Sequence, residues 1–405
     1  MFIDISPLRK YPDYRLLYFG QVISFFGSMI SYVAIPYQIY QLTKDNALVG
    51  FMGVVQLAPL LVFGILGGTY ADRLNRRKLL LVSEVLMASA VLGLMLNSLR
   101  EHPSVALIFV LVALMQAVLG FHRPSMEAVT QSLVNKADYS AVGALSALRF
   151  SLGAVLGPSI AGMIIASMGL KAAYAIDVLT FAAAFTSIYM MRRMPDPVRS
   201  TRSPFQEAGD GLRFAFSKPE LVGTYLVDFV AMIFAFPVAL FPAMSERWGG
   251  AQAAGILFSG IATGSLVATL FSGWTAKTLR TGRAVIVCAS FWALFIVGVG
   301  FSSSLWWAFA FLALAGAADM LSGIFRGIIW NESVPNSMRG RLSGIEMISY
   351  SSGPLLGNAR AGFVASQFSV QTSLISGGVI CFVLVCFTAS LLPHFWKYRS
   401  THNSQ

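Results

Sequence analysis

The 405 residues are 56% hydrophobic and only 12% charged, about half the charge of an ordinary soluble protein. That excludes a globular domain whose surface faces water, and makes lipid the main solvent. The net charge of +11 would suggest nucleic acid in a soluble chain, but here the basic residues lie between long apolar runs.

In chain order, a polar start carrying Arg9 and Lys10 leads into an apolar run too long for a cleavable signal peptide. The first span is expected to be its own targeting signal. Twelve runs have the length and composition of membrane helices. They cover 16–42, 47–70, 79–99, 105–122, 140–168, 171–191, 219–243, 250–274, 283–302, 305–330, 340–366 and 371–392. The fifth and eleventh are rich in Gly and Ser, which suits close helix packing in lipid. Three prolines, Pro195, Pro197 and Pro204, mark the polar stretch 192–218 as a cytoplasmic linker. Within it, 205–216 suits either a plain connector or a short amphipathic surface helix. The expected division is therefore a six-helix bundle over 1–191, the linker, and a second bundle over 219–405 with a short tail.

With both termini inside, 22 of the 29 Lys and Arg residues fall on the cytoplasmic side. Four (Lys44, Arg100, Lys171, Arg247) fall outside and three (Arg149, Arg326, Arg360) lie within spans. This positive-inside bias sets the orientation and accounts for the basic charge without nucleic acid. Cys288, Cys381 and Cys386 sit in apolar runs without metal or disulfide spacing. No phosphate-binding loop occurs, and the four histidines form no metal-ligand pattern. No enzyme activity, cofactor or metal is expected.

The chain repeats itself. Gly68, Asp72, Arg73, Arg76, Arg77 and Lys78 follow the second span; Gly273, Lys277, Arg280 and Arg283 follow the eighth, with Gly273 lying 205 residues after Gly68. Gly157-Pro158 in the fifth span recurs as Gly353-Pro354 in the eleventh, 196 residues on. Two features in the same order at nearly one offset describe a duplicated six-helix unit.

These residues carry a family resemblance. The 68–78 loop resembles the signature loop of the major facilitator superfamily, with Asn75 where a glycine is usual. Gly153, Gly157-Pro158 and Ala161-Gly162 resemble the fifth-helix motif of its proton-driven exporters. Pro335 and Arg339-Gly340-Arg341 match the usual start of the eleventh helix. The opening, with Leu8, Tyr14-Arg15, Phe19-Gly20, Ser24 and Pro36, looks most like the branch of siderophore exporters and macrolide efflux proteins. The implied fold is all-α, twelve transmembrane helices in two pseudo-symmetric bundles. The implied protein is a monomer in the bacterial inner membrane, exporting an amphipathic siderophore or drug in exchange for protons. A proton-coupled importer of the same fold is the alternative.

The resemblance also suggests roles for particular residues. Asp72 would face the positive N-terminal end of the eleventh helix, a placement favourable by about 0.3–2 kcal/mol. With Gly68, Arg73, Arg76 and Glu127 it would form a cytoplasmic gate; the bland alternative is that the basic loop only obeys the positive-inside rule. Gly153, Gly157, Pro158 and Gly162 would bend the fifth helix and let a neighbour approach, either to seal a leak path or merely to pack. Ionisable groups within spans are costly and point to function. Of these, Asp228 and Asp319 lie nearest mid-membrane on helices that line the superfamily's cavity. Asp319 and Arg326, seven apart, share a helix face and are expected to pair. Asp228 lacks a local partner and suits a proton carrier, while Arg149 and Glu346 occupy equivalent places in the two copies and suit a bridge. Asp177 is expected at the periphery, Glu84 and His122 beside the basic loops, and Gln21, Gln56, Gln116 and Tyr225 near the substrate.

Overall fold

The computed structural model describes residues 4–192, 209, 213–335 and 338–400, with 65–73, 340, 341, 343–345 and 347–349 described at the backbone only. The long helices are α1 (Pro12–Thr43), α2 (Asn46–Arg73), α3 (Arg76–Ser98) and α4 (Val105–Leu133). A continuous helical stretch, Tyr139–Met190, contains the next two. At 52 residues a straight helix would run about 78 Å, more than twice the roughly 30 Å hydrocarbon core. It breaks at Gly169, whose φ of 79° is left-handed, so 139–168 (α5) and 170–190 (α6) are separate spans. Then come α7 (Pro219–Ala235), α8 (Ala251–Leu270), α9 (Thr281–Gly300), α10 (Leu305–Ser333), α11 (Arg339–Gln367) and α12 (Val370–Leu391).

Side-chain caps fix several helix starts by accepting an otherwise orphan backbone N–H. Asn75 accepts from Lys78 at the start of α3, Ser104 from Leu107 at α4, and Ser369 from Thr372 at α12. Asn75, standing where the resembled loop has glycine, thus acts as a helix cap in an extended conformation (φ −61°, ψ 109°). Large apolar side chains such as Val110, Phe150 and Leu179 stay more than 60% exposed, as helices solvated by lipid require.

Two helices depart from the sequence boundaries. The fourth span, expected over 105–122, continues to Leu133. The seventh, expected over 219–243, ends at Ala235, and a short turn leads to a separate helix, Phe241–Ser245. Phe236 is extended and Pro237 follows, so no helical hydrogen bond crosses the junction. Arg360 of α11 holds the broken end: Nη1 donates to Phe234 O at 2.8 Å and Nη2 to Ser373 O at 3.1 Å. Asn358 Oδ1 accepts from Ala239 N at 3.0 Å. Arg360→Leu would orphan the Phe234 carbonyl at the broken helix end, at about 1–3 kcal/mol. The expected outcome is a lower apparent Tm in detergent, with Arg360→Lys recovering part of the loss.

The residues group into two compact units, one of 1–42 with 58–204 and the other of 43–57 with 205–405. The segment 43–57, expected in the first bundle, groups with the second because Gly50 and Gly53 lie against the α11 backbone. A Cβ on Gly50 would stand 2.5 Å from Asn358 O, and one on Gly53 2.2 Å from Leu355 O. The linker motif 205–216 lies mostly outside the described residues.

A cavity around Arg326 in the second unit

Three helices of the second unit enclose a cavity of about 250 Å³. On α7, Thr224, Tyr225 and Asp228 face it; on α10, Gly323, Arg326, Gly327 and Trp330; on α11, Glu346 and Tyr350. The α10 set recurs at i, i+3, i+4 and i+7, one face of a helix. Gly323 and Gly327 leave the space beside Arg326 that a larger side chain would fill.

The guanidinium is shared. Arg326 Nη1 pairs with Asp228 Oδ1, and Nη2 lies 3.7 Å from Asp319 Oδ1. Glu346 is close enough to interact electrostatically with both Arg326 and Asp228. Three carboxyl groups thus face one fixed cation, inside an apolar span where ionisable groups are expensive. Arg326 Nε, Tyr225 Oη and Trp330 Nε1 are buried and have no hydrogen-bond partner among the described residues.

Asp228 therefore does not lack a partner: Arg326 is closer to it than to Asp319. Residues seven apart stand about 10 Å apart along the axis, so Asp319 and Arg326 meet only at full stretch. Asp228 meets Arg326 sideways across the α7–α10 contact, which no spacing within one helix reveals. Tyr225 lines the cavity as expected of a substrate residue.

In the first unit, Arg149 of α5 lies beside Tyr14 and Tyr18 of α1. It makes no ion pair among the described residues, and its Nε and Tyr14 Oη have no hydrogen-bond partner there. Asp177, on the helix expected at the periphery, turns its side chain inward toward α1. It is fully buried, accepting from the Ser31 hydroxyl of α1 and from Thr180 Oγ1 at 3.1 Å. Among the described residues, Glu84 and His122 bind one another at 3.1 Å rather than the basic loops, and Gln21 donates to Glu84 at 3.0 Å. Arg77, from the basic loop, instead donates to Ile188 O and Tyr189 O at 3.1 and 2.5 Å, closing the C-terminal turn of α6.

Of the expected gate, Gly68, Asp72 and Arg73 lie outside the residues whose side chains are described. Arg76 is half-buried at the start of α3, and Glu127 is exposed on α4. The glycine-proline motif has a definite contact. A Cβ on Gly153 would stand 2.3 Å from Phe25 Cδ1, and one on Gly157 2.5 Å from Met29 Cβ, both on α1. Pro158 and Gly162 are buried in the same stretch. In the second unit, a Cβ on Gly353, also followed by proline, would stand 2.8 Å from Met232 Cβ on α7. Each unit packs its fifth helix on its first through a Gly-Pro pair facing a methionine.

Outside the spans, Lys10 Nζ and Tyr11 Oη donate to Asp138 Oδ2 at 2.8 and 2.6 Å. The Lys10 bond and then the Tyr11 bond hold the Asp138 carboxyl below its ordinary range.

Comparison with known proteins agrees with this architecture. A family model described as a transmembrane secretion effector matches residues 3–403. The enterobactin exporter EntS of Shigella boydii serotype 4 (strain Sb227) is 24% identical over 98% of this chain and 96% of its own length. That of Salmonella choleraesuis (strain SC-B67) is 25% identical over 98% and 97%. Among solved structures, a bacterial homologue of the iron transporter ferroportin in an inward-facing state aligns with a TM-score of 0.72 at 12% identity, covering 95% of this chain and 98% of that one. The nucleoside transporter NupG aligns at 0.70 and 12%, with the same coverage. At such identity these structures speak for the fold alone.

Proposed function

The chain belongs to the major facilitator family described as transmembrane secretion effectors, and on that premise we propose that it is a secondary active exporter driven by inward proton flow. Its substrate is an amphipathic small molecule, a siderophore or a drug. It works as a monomer in the bacterial inner membrane, with both termini in the cytoplasm. The observation that carries this reading is Arg326, held between Asp228 and Asp319 at the wall of a cavity that Glu346 also faces.

The excess of carboxyl groups gives the exchange its chemistry. With its acids ionised the cavity is net negative and favours a substrate group that is cationic or rich in hydrogen-bond donors. A proton arriving on one acid cancels that attraction, so substrate and proton compete for the same charge. Tyr225 and Arg326, which line the cavity, would orient acceptor oxygens on the substrate. Alternating access between the two faces of the membrane then makes the competition a net exchange. Asp72 with Gly68, Arg73, Arg76 and Glu127 remains the proposed cytoplasmic gate, and the Gly153, Gly157, Pro158 and Gly162 stretch the proposed exporter element.

The curated relatives named above as enterobactin exporters support a siderophore as cargo, while the negative cavity supports a cationic drug. A deletion strain grown under iron limitation and against a macrolide panel separates them. The coupling is tested by loading deletion and complemented cells with the cargo so identified and adding a protonophore. Export is expected to stop when the proton gradient collapses; export that continues would overturn proton antiport.

A further inference from the structure

In the first unit, three helices converge on one carboxyl group far along the chain from Arg326. Glu84 of α3 is 2% exposed. Its Oε1 accepts from Gln21 Nε2 of α1 at 3.0 Å and faces His122 Nε2 of α4 at 3.1 Å. Its other oxygen, Oε2, is buried and has no hydrogen-bond partner among the described residues. An ionised carboxylate would leave half its charge on that oxygen with nothing donating to it, a costly arrangement in an apolar span. A proton on Oε2 removes the cost and leaves both contacts at Oε1 in place. When His122 donates from Nε2, its Nδ1 is free to take a proton of its own. Two proton seats then stand one hydrogen bond apart.

The surrounding charges do not supply a fixed counter-ion. No Lys or Arg forms an ion pair with Glu84 among the described residues. From α1 comes the neutral Gln21, and from α4 His122 itself. From α6 comes Asp177, which interacts electrostatically with Glu84 and is held by Ser31 and Thr180. Arg77, on the same helix as Glu84, is engaged with the carbonyls that end α6. Among the described residues, apart from the hydrogen bonds at Oε1, the group left to balance Glu84 is the proton.

We infer that Glu84 and His122 form a proton-binding site of the first unit, separate from the carboxyl groups around Arg326. In the uptake step an O–H bond forms at Glu84 Oε2 and the carboxylate charge falls to zero; release reverses it. Gln21 is a positioning residue that keeps Oε1 turned toward His122. A transporter with this site binds at least one proton more than the cavity alone accounts for.

The test uses the full chain in lipid nanodiscs, with protons as the only ligand. Four histidines are present, so ¹³C-labelled imidazole signals are few, and His122→Asn identifies the one of interest. The His122 signal is expected to respond to pH, and Glu84→Gln to alter that response. Glutamine keeps an acceptor oxygen for both neighbours and removes only the titrating charge, so a purely structural contact would not respond. In parallel, pH-difference infrared spectra should show a protonated-carboxyl band that vanishes in Glu84→Gln and persists in Asp177→Asn and Asp228→Asn. If Glu84→Gln does not fold, the same band is expected to move in His122→Asn and Gln21→Ala. A His122 signal indifferent to Glu84, or the absence of a Glu84 band, would overturn the inference. Neither measurement needs transport, so failure of the exporter reading would leave this result standing.

Discussion

Arg326→Ala is expected to reduce export by two orders of magnitude or more while the protein still reaches the membrane. Among the described residues Arg326 is the cation that the cavity's acids share: Asp228 on its Nη1 and Asp319 at 3.7 Å from its Nη2. Removing one partner of a buried pair costs about 3–5 kcal/mol, because the other is left uncompensated. At about 1.4 kcal/mol per factor of ten, that penalty falls on every conformation in which Asp228 stays ionised and buried. Without its cation the cavity can no longer hold all of these acids ionised at once, so the charge for which proton and substrate compete is lost. Asp228→Asn should behave differently. The amide still accepts from the guanidinium, so the cavity persists and substrate binding survives, but export loses its dependence on the proton gradient. The pair is distinguished in everted vesicles by following substrate accumulation and proton release together. An Arg326→Ala protein that keeps more than half of its export would remove Arg326 from the mechanism.

The places where the sequence was readable, and where it was not, have physical causes. Span positions follow from hydropathy, a property of each segment on its own, and so the twelve expected spans match helices in order. The break at Gly169 falls in the gap between the expected spans 140–168 and 171–191. Boundaries failed where a helix continues past the apolar core, as α4 does to Leu133, or stops within it, as α7 does before Phe236. Partners of the intramembrane charges were the least readable. Asp319–Arg326 was legible as an i, i+7 pair, yet the closer contact, Asp228 to Arg326, joins residues 98 apart on neighbouring helices. Glu84 and His122, 38 apart on adjacent helices, met in the same unseen way. Proximity to a basic loop in sequence suggested the wrong partners for both. Asp177 was discounted because its helix was expected at the rim, although one face of a rim helix still packs on α1. Its hydroxyl partners, Ser31 and Thr180, carry no charge that a search for ion pairs would notice.

Gly264→Ala is expected to damage the protein more than any other single methyl addition within the described spans. A Cβ there would lie 1.6 Å from Ala313 O on α10, and a Cβ on Gly316 would lie 2.0 Å from Ile261 O on α8. The obstacle in both cases is backbone, which cannot rotate aside as a side chain can. Ser265 Oγ, donating to Gly316 O at 3.0 Å, ties the two helices at the same crossing. Small residues at such crossings let helices gain packing in lipid, where no hydrophobic force draws them together. Overpacking a core costs about 1–3 kcal/mol, and more where the backbone must shift. An apparent Tm lowered by about 5–10 °C in detergent is the expected reading, with Gly316→Ala similar. Gly143→Ala is the matched control, since nothing stands within 4 Å of the added carbon. There the substitution only removes freedom from the unfolded chain and should leave Tm unchanged or slightly raised. Gly157→Ala falls between them, because the atoms it meets belong to Met29, a side chain able to move aside. An unchanged Tm for Gly264→Ala would mean that α8 and α10 do not cross this closely, and a full loss for Gly143→Ala that the damage comes from helix chemistry and not from contact. The order Gly264, Gly157, Gly143 thus tests the helix crossings without any knowledge of the substrate.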